Sequence, residues 1–139
     1  VYGGTCLVSG RGEIVEKLEG PSFSFVVVIP EITVSTKDAY ADLNLSVVGK
    51  KNSSEQFLKD FDVAFIHNDF EECVFKKHPS LDEIKVQLLE HGAKAAFLAG
   101  SGSAVVGVID EASKKLVEKN VDEKLLFAYS ANIPAESRL

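Results

Sequence analysis

Methionine is absent from this 139-residue sequence, cysteine occurs twice, histidine three times and proline four times. The two cysteines, Cys6 and Cys73, lie far apart, and neither has a second Cys or His at metal-ligand spacing. A disulfide framework and a zinc-type site are thereby excluded. Both cysteines read as reduced packing residues of a reducing compartment. His67, His78 and His91 each stand in polar surroundings and read as surface or loop positions. No apolar run reaches the roughly 18 residues that a spanning helix needs, so no membrane segment is expected. Positive charge is also scarce: the net charge is -6, and Lys76-Lys77 is a close basic pair on a solvated face rather than a nucleic-acid patch. The chain opens Val-Tyr-Gly-Gly with neither an initiator Met nor a basic, apolar leader. This start reads as a fragment of a longer protein.

What is present is an ordinary globular composition, 45% hydrophobic and 26% charged. Thr5 to Ser9, the turn Gly10-Arg11-Gly12 and Glu13 to Leu18 predict a β-hairpin. Glu19-Gly20-Pro21-Ser22 then breaks the chain, a candidate boundary between residues 1–22 and a domain over 23–139. Phe23 to Ile29 is nearly continuous in apolar residues and predicts a central strand buried on both faces. Ser35 or Thr36 caps a helix over Lys37 to Leu43. Asn44 to Ser54 is a polar loop, with a short helix over Glu55 to Lys59. Asn68-Asp69 reads as a helix start. Ser80 with Glu83 reads as a capping box ahead of the stripe Leu81, Ile84, Leu88 and Leu89, which Gly92 ends. Strands follow at Ala95 to Leu98 and Ala104 to Ile109, then a helix capped by Asp110 with Ala112, Leu116 and Val117 inward, and a strand at Leu125 to Tyr129. The fold class is therefore α+β: a ferredoxin-like βαββαβ sheet with helices on one face.

Two segments could carry chemistry. The loop Leu98-Ala99-Gly100-Ser101-Gly102-Ser103-Ala104 joins two strands. Its glycines permit close backbone approach to a ligand, its N–H groups can form an anion-binding concavity, and its hydroxyls add donors. It matches neither the P-loop nor the dinucleotide fingerprint, and its spacing alone favours a plain hairpin turn. The second segment places Thr36 at a helix start with Tyr40 four residues on, along the same helix face. An aromatic there can stack on a base, although spacing alone favours a capped helix with a half-buried Tyr.

Taken in order, four segments resemble the GHMP small-molecule kinases. They are Gly-Gly-Thr-Cys-Leu-Val-Ser-Gly-Arg-Gly-Glu at 3–13, Ile-Pro with Val-Ser-Thr-Lys-Asp-Ala-Tyr up to Tyr40, Asn-Asp-Phe-Glu at 68–71, and Leu-Ala-Gly-Ser-Gly-Ser-Ala-Val at 98–105. Gly100 to Ser103 looks like the third, C-terminal glycine motif of that family. The hairpin and the Tyr40 helix start look closer to a member acting on cytidine diphosphate methylerythritol than to homoserine or mevalonate kinases.

The resemblance implies the C-terminal half of an ATP- and Mg²⁺-dependent kinase acting in a bacterial cytoplasm or a plastid stroma. Residues 1–22 would be the closing hairpin of the missing N-terminal half. That half would hold the ATP loop, a catalytic Lys, a catalytic Asp and the metal ligands. Glu13, Asp38, Asp69 and Asp110 do not match the position of the base, so no catalytic or metal-binding residue is expected in this chain. By the same resemblance Thr36 and Tyr40 would bind the cytidine end of the substrate, while Gly100, Ser101, Gly102 and Ser103 would lie near the transferred phosphate. The alternatives are another GHMP kinase of homoserine or mevalonate type, or a stand-alone ferredoxin-like ligand-binding domain.

Overall fold

The structure is a computed structural model that describes residues 5–46, 48–49 and 53–130, the last two by backbone alone. The opening Val-Tyr-Gly-Gly and parts of the loop read over Asn44 to Ser54 lie outside the described residues. The chain begins with strand β1 (Cys6–Ser9) and strand β2 (Ile14–Lys17), which pair antiparallel with Val8 opposite Val15 as a separate two-stranded sheet. Gly12 N–H closes the turn on Ser9 O at 3.1 Å.

Strand β3 (Phe23–Ile29) follows, then helices α1 (Thr36–Asp42) and α2 (Ser53–Asp60), a 3-10 turn (Val63–Phe65), and helices α3 (Glu71–Lys77) and α4 (Pro79–Glu90). Strands β4 (Ala95–Leu98) and β5 (Val105–Ile109), helix α5 (Glu111–Asn120) and strand β6 (Lys124–Ser130) complete the order. The four long-range strands lie in the order β4-β5-β3-β6, and every pair is antiparallel. This is the expected split βαβ arrangement, with β3 and β5 inside and β4 and β6 at the edges.

The register explains the core. Val26 faces Gly107 and Val28 faces Val105 across the β3–β5 pair, and Leu98 faces Val105 across the next. These residues share one face of the sheet. They form a buried cluster with Leu81, Ile84 and Leu88 of α4, Val117 of α5, Ala39 of α1 and Val74 of α3. A Cβ at Gly107 would stand 3.1 Å from Val26 Cγ1 and 3.4 Å from Leu88 Cδ1, so its lack of a side chain lets α4 approach the sheet.

β3 is not buried on both faces. Val26 and Val28 are fully buried, whereas Phe23, Phe25, Val27 and Ile29 are half-buried. The opposite face carries only lighter cover, including Phe57 of α2 at 6.2 Å from the Phe23 ring.

Helix boundaries and faces depart from the sequence reading in four places. Pro79 takes the first turn of α4, where its missing N–H costs nothing, so the helix begins ahead of Ser80 and no capping box forms there. Leu89 is exposed, because Leu81, Ile84 and Leu88 already supply the inward stripe. In α5 the inward residues are Ser113 and Val117, while Ala112 and Leu116 are exposed. Ser113 can be buried because its hydroxyl completes a capping box with Asp110, so its polar atom is satisfied. Neither Asn68 nor Asp69 is the N-cap of α3, which is Phe70 without a side-chain cap bond; Asn68 Oδ1 accepts the Phe70 N–H just ahead of the helix, and the donors of Asn68 go elsewhere.

Candidate functional site

Ser35 caps α1: its hydroxyl accepts Asp38 N–H at 3.3 Å and its carbonyl accepts Ala39 N–H at 2.9 Å. Capping is thus done by Ser35, and the hydroxyl of Thr36 points across to the β4–β5 loop. Thr36 Oγ1 lies 3.0 Å from Ser101 Oγ, a residue 65 positions away. The two segments singled out in the sequence therefore meet. Tyr40 stands one turn along α1 and is 63% exposed rather than half-buried. It packs edge-on against Phe70, with ring centroids 4.9 Å apart at 85°. One aromatic neighbour holds the ring while most of it stays open.

The glycine loop is a tight turn closed by Ala99 N–H to Ala104 O at 2.9 Å and Gly102 N–H to Ala99 O at 3.0 Å. Gly102 N–H therefore points into the loop rather than into an anion concavity. Gly100 and Gly102 have φ of +55° and +92°, the left-handed region that side chains disfavour. Their surroundings differ. A Cβ at Gly100 would meet nothing within 4 Å, whereas one at Gly102 would stand 3.3 Å from Leu98 Cδ1 and 3.4 Å from Val34 Cγ2. The open approach lies at Gly100, while Gly102 is packed on the protein itself. Ser103 is half-buried at the foot of the loop, just before Ala104.

Side chains from the α3 region hold this loop from below. Asn68 Nδ2 donates to Leu98 O at 2.6 Å and to Gly100 O at 2.8 Å, while Asn68 Oδ1 accepts Phe70 N–H at 3.0 Å. Glu71 Oε1 accepts Leu98 N–H at 2.9 Å, and Glu71 Oε2 pairs with Lys85 Nζ at 2.7 Å. The sequence marks Asn68-Asp69 only as a helix start, and both contacts escape it. The signal was slight: a side chain with two donors and an acceptor just ahead of a helix. Asp69 turns away to His67 Nε2 at 3.1 Å and Gly49 N–H at 3.2 Å. Two ionisable groups elsewhere are shifted. A hydrogen bond to Asp42 raises the Lys77 pKa, and hydrogen bonds from Ser113 lower that of Asp110.

Among the described residues no three His, Cys, Asp or Glu side chains converge on a metal-holding position, and no helix is long and apolar enough to cross a membrane. Cys6 and Cys73 form no disulfide among the described residues, and Cys73 packs against the core with Sγ 3.2 Å from Phe70 O.

The chain is similar to a 4-diphosphocytidyl-2-C-methyl-D-erythritol kinase of Thermodesulfovibrio yellowstonii, at 35% identity over 117 residues. That match covers 76% of this chain and 41% of the relative. A protein of the same name from Caldanaerobacter subterraneus is 36% identical over 136 residues, covering 93% of the chain and 47% of the relative. The chain thus spans somewhat less than half the length of the curated relatives it matches. Its fold matches a crystal structure of 4-(cytidine 5'-diphospho)-2C-methyl-D-erythritol kinase with a TM-score of 0.72 at 22% identity, over 86% of this chain and 47% of that one. A homoserine kinase from Cytophaga hutchinsonii matches at 0.71 and 20% identity, over 94% of this chain and 49% of that one. Residues 55–125, from α2 into β6, match the model of the GHMP kinases C terminal family. On that match, joined to the antiparallel sheet and the glycine loop between β4 and β5, the chain belongs to the GHMP kinases as a C-terminal domain of that family.

Proposed function

We propose that this chain is the substrate-side portion of an ATP-dependent kinase that phosphorylates a hydroxyl of 4-diphosphocytidyl-2-C-methyl-D-erythritol, a step toward isoprenoid precursors. The observation that carries the reading is the meeting of Thr36 and Ser101 at 3.0 Å, with the exposed Tyr40 one turn away. An exposed aromatic and the glycine loop thus stand in one region, which supports reading the first as the base end and the second as the phosphate end. The two relatives named above, both called by this activity, support the choice of substrate.

In this reading Tyr40 packs against the cytosine ring, with Phe70 holding it from the side and Thr36 near the same end. Gly100, Ser101, Gly102 and Ser103 lie over the reacting end, and the open space at Gly100 is the approach path. Phosphoryl transfer depends chiefly on positioning and charge stabilisation, and this loop contributes positioning. By likeness to the family, the metal, the ATP cradle, the Lys and the Asp are assigned to the part of the relatives that this C-terminal chain does not span. The hairpin of residues 1–22 closes that portion, and the C-terminal domain begins at Phe23. The enzyme works in the cytoplasm or a plastid stroma.

The test is ATP-dependent phosphorylation by the full-length protein, offered cytidine diphosphate methylerythritol, homoserine and mevalonate in turn. Turnover of the cytidine compound alone is expected. Preferred turnover of homoserine would overturn the substrate assignment and leave the kinase reading standing.

A further inference from the structure

We infer that Asn68 is a positioning residue that sets the shape of the glycine loop, and that Glu71, held by Lys85, locks the same loop from its other side. The inference rests on the kinase reading above and deepens it. Asn68 uses both of its donors and its oxygen: the N–H groups go to Leu98 O and Gly100 O, and the oxygen takes Phe70 N–H. The two carbonyls flank Ala99, so the amide fixes the spacing of the loop's entry. The surroundings also fix the amide's orientation, since the reverse would aim an oxygen at two carbonyls. A carboxylate could accept from Phe70 but could donate to neither carbonyl. Asparagine is therefore chemically required here in a way that aspartate is not.

Glu71 supplies the complementary half by accepting Leu98 N–H, so Leu98 is gripped through both its N–H and its C=O. The Glu71 carboxylate is only 13% exposed and is charge-paired with Lys85 of α4. It is anchored to a helix whose Leu81, Ile84 and Leu88 sit in the core. The loop's shape is thus referred to the rigid part of the domain. Asn68 also links the two ends of the proposed site, because the Phe70 backbone it holds carries the ring under Tyr40.

The informative substitution is Asn68→Asp, which keeps the size of the side chain and the bond to Phe70, removes the two donors and sets a carboxylate oxygen against the two carbonyls. The Gly100 bond is solvent-exposed and the Leu98 bond partly so, which lets water satisfy the freed carbonyls while the fold persists. Two readouts are taken on the full-length protein: amide hydrogen exchange at Ala99 and Gly102, and steady-state kinetics. Exchange at both amides is expected to quicken about tenfold, since it reports local opening of the loop. The kcat is expected to fall about a hundredfold, as for a misplacement on the order of 1 Å, while KM for the cytidine substrate stays within about twofold. Phe70→Ala should do the opposite, raising KM more than it lowers kcat. Glu71→Ala should lower kcat as Asn68→Asp does, and Glu71→Gln should lower it less, because the amide oxygen still accepts Leu98 N–H. Unchanged exchange in Asn68→Asp overturns the inference whether or not the protein is active. Faster exchange with unchanged kcat overturns the positioning role. A wild-type protein inactive on the cytidine substrate refutes the functional reading instead, and the exchange result then decides the loop brace by itself.

Discussion

Gly100 and Gly102 stand two residues apart in one loop, yet a side chain would do different things at each. At Gly102 a branched side chain meets both the +92° φ and the atoms of Leu98 and Val34. Gly102→Val should therefore destabilise the domain by about 1–3 kcal/mol through crowding and backbone strain. Gly100→Ala faces open space and should lose only the roughly 1–2 kcal/mol of left-handed strain. Urea unfolding of both variants checks the ranking, and a Gly102→Val midpoint equal to wild type would refute it. Tyr40 is the converse case. With 63% of the residue exposed, Tyr40→Ala removes little core. It should raise KM for the cytidine substrate more than it lowers kcat. An unchanged KM in the full-length enzyme would remove Tyr40 from the binding site.

The cap of α5 shows how one element's start controls its buried face. Asp110 Oδ1 accepts Ala112 N–H at 3.1 Å and Ser113 N–H at 2.9 Å, and Ser113 Oγ accepts Asp110 N–H at 2.9 Å. These bonds favour the ionised carboxylate and hold its pKa below the ordinary aspartate value, Ser113 contributing most. A depressed folded pKa contributes stability that is present above the unfolded value, about 3.9, and lost as pH falls through the folded one. Asp110→Ala should thus lower the melting temperature at pH 7, and the gap to wild type should shrink below about pH 4. Melting curves across pH 2.5 to 7 provide the check (the range is roughly that of carboxylate titration). A gap that widens on acidification would contradict the linkage.

At the scale of the whole molecule, the hairpin is one part whose apolar residues lack cover. Val8 is 54% exposed and Ile14 57%, and the register puts Val8 and Val15 on one face with Ile14 on the other. Exposed apolar groups on both faces of a small two-stranded sheet mark a surface meant to be covered. The proposed cover is the preceding portion of the kinase. The isolated chain should therefore bind an apolar dye, and Val8→Thr with Val15→Thr should reduce that binding while leaving the melting temperature of the sheet domain in place. Dye binding untouched by the pair would mean that the hairpin is not the exposed surface. The same chain alone should transfer no phosphate from ATP, because phosphoryl transfer needs a phosphate cradle and metal that this reading assigns elsewhere. Measurable turnover by the isolated chain would refute that assignment.

Local order was legible wherever neighbouring residues decide it. The apolar run Phe23 to Ile29, the breakers Pro30 and Gly92 and the cap at Asp110 each act within a few residues, and the strands and helices appear where those signals put them. The proximity of the Thr36 and Ser101 segments was readable only through resemblance, because 65 residues separate them. Faces were less legible than elements. Leu89 and Leu116 carry the same hydrophobicity as their buried neighbours, and only the direction from which the sheet approaches left them outside. Asn68 is the extreme case. Beside Asp69 it has the look of a cap, but its donors reach carbonyls 30 and 32 residues away. A hydrogen bond's partner is a matter of three-dimensional position, so that role existed only once β4, its loop and α3 had been brought together.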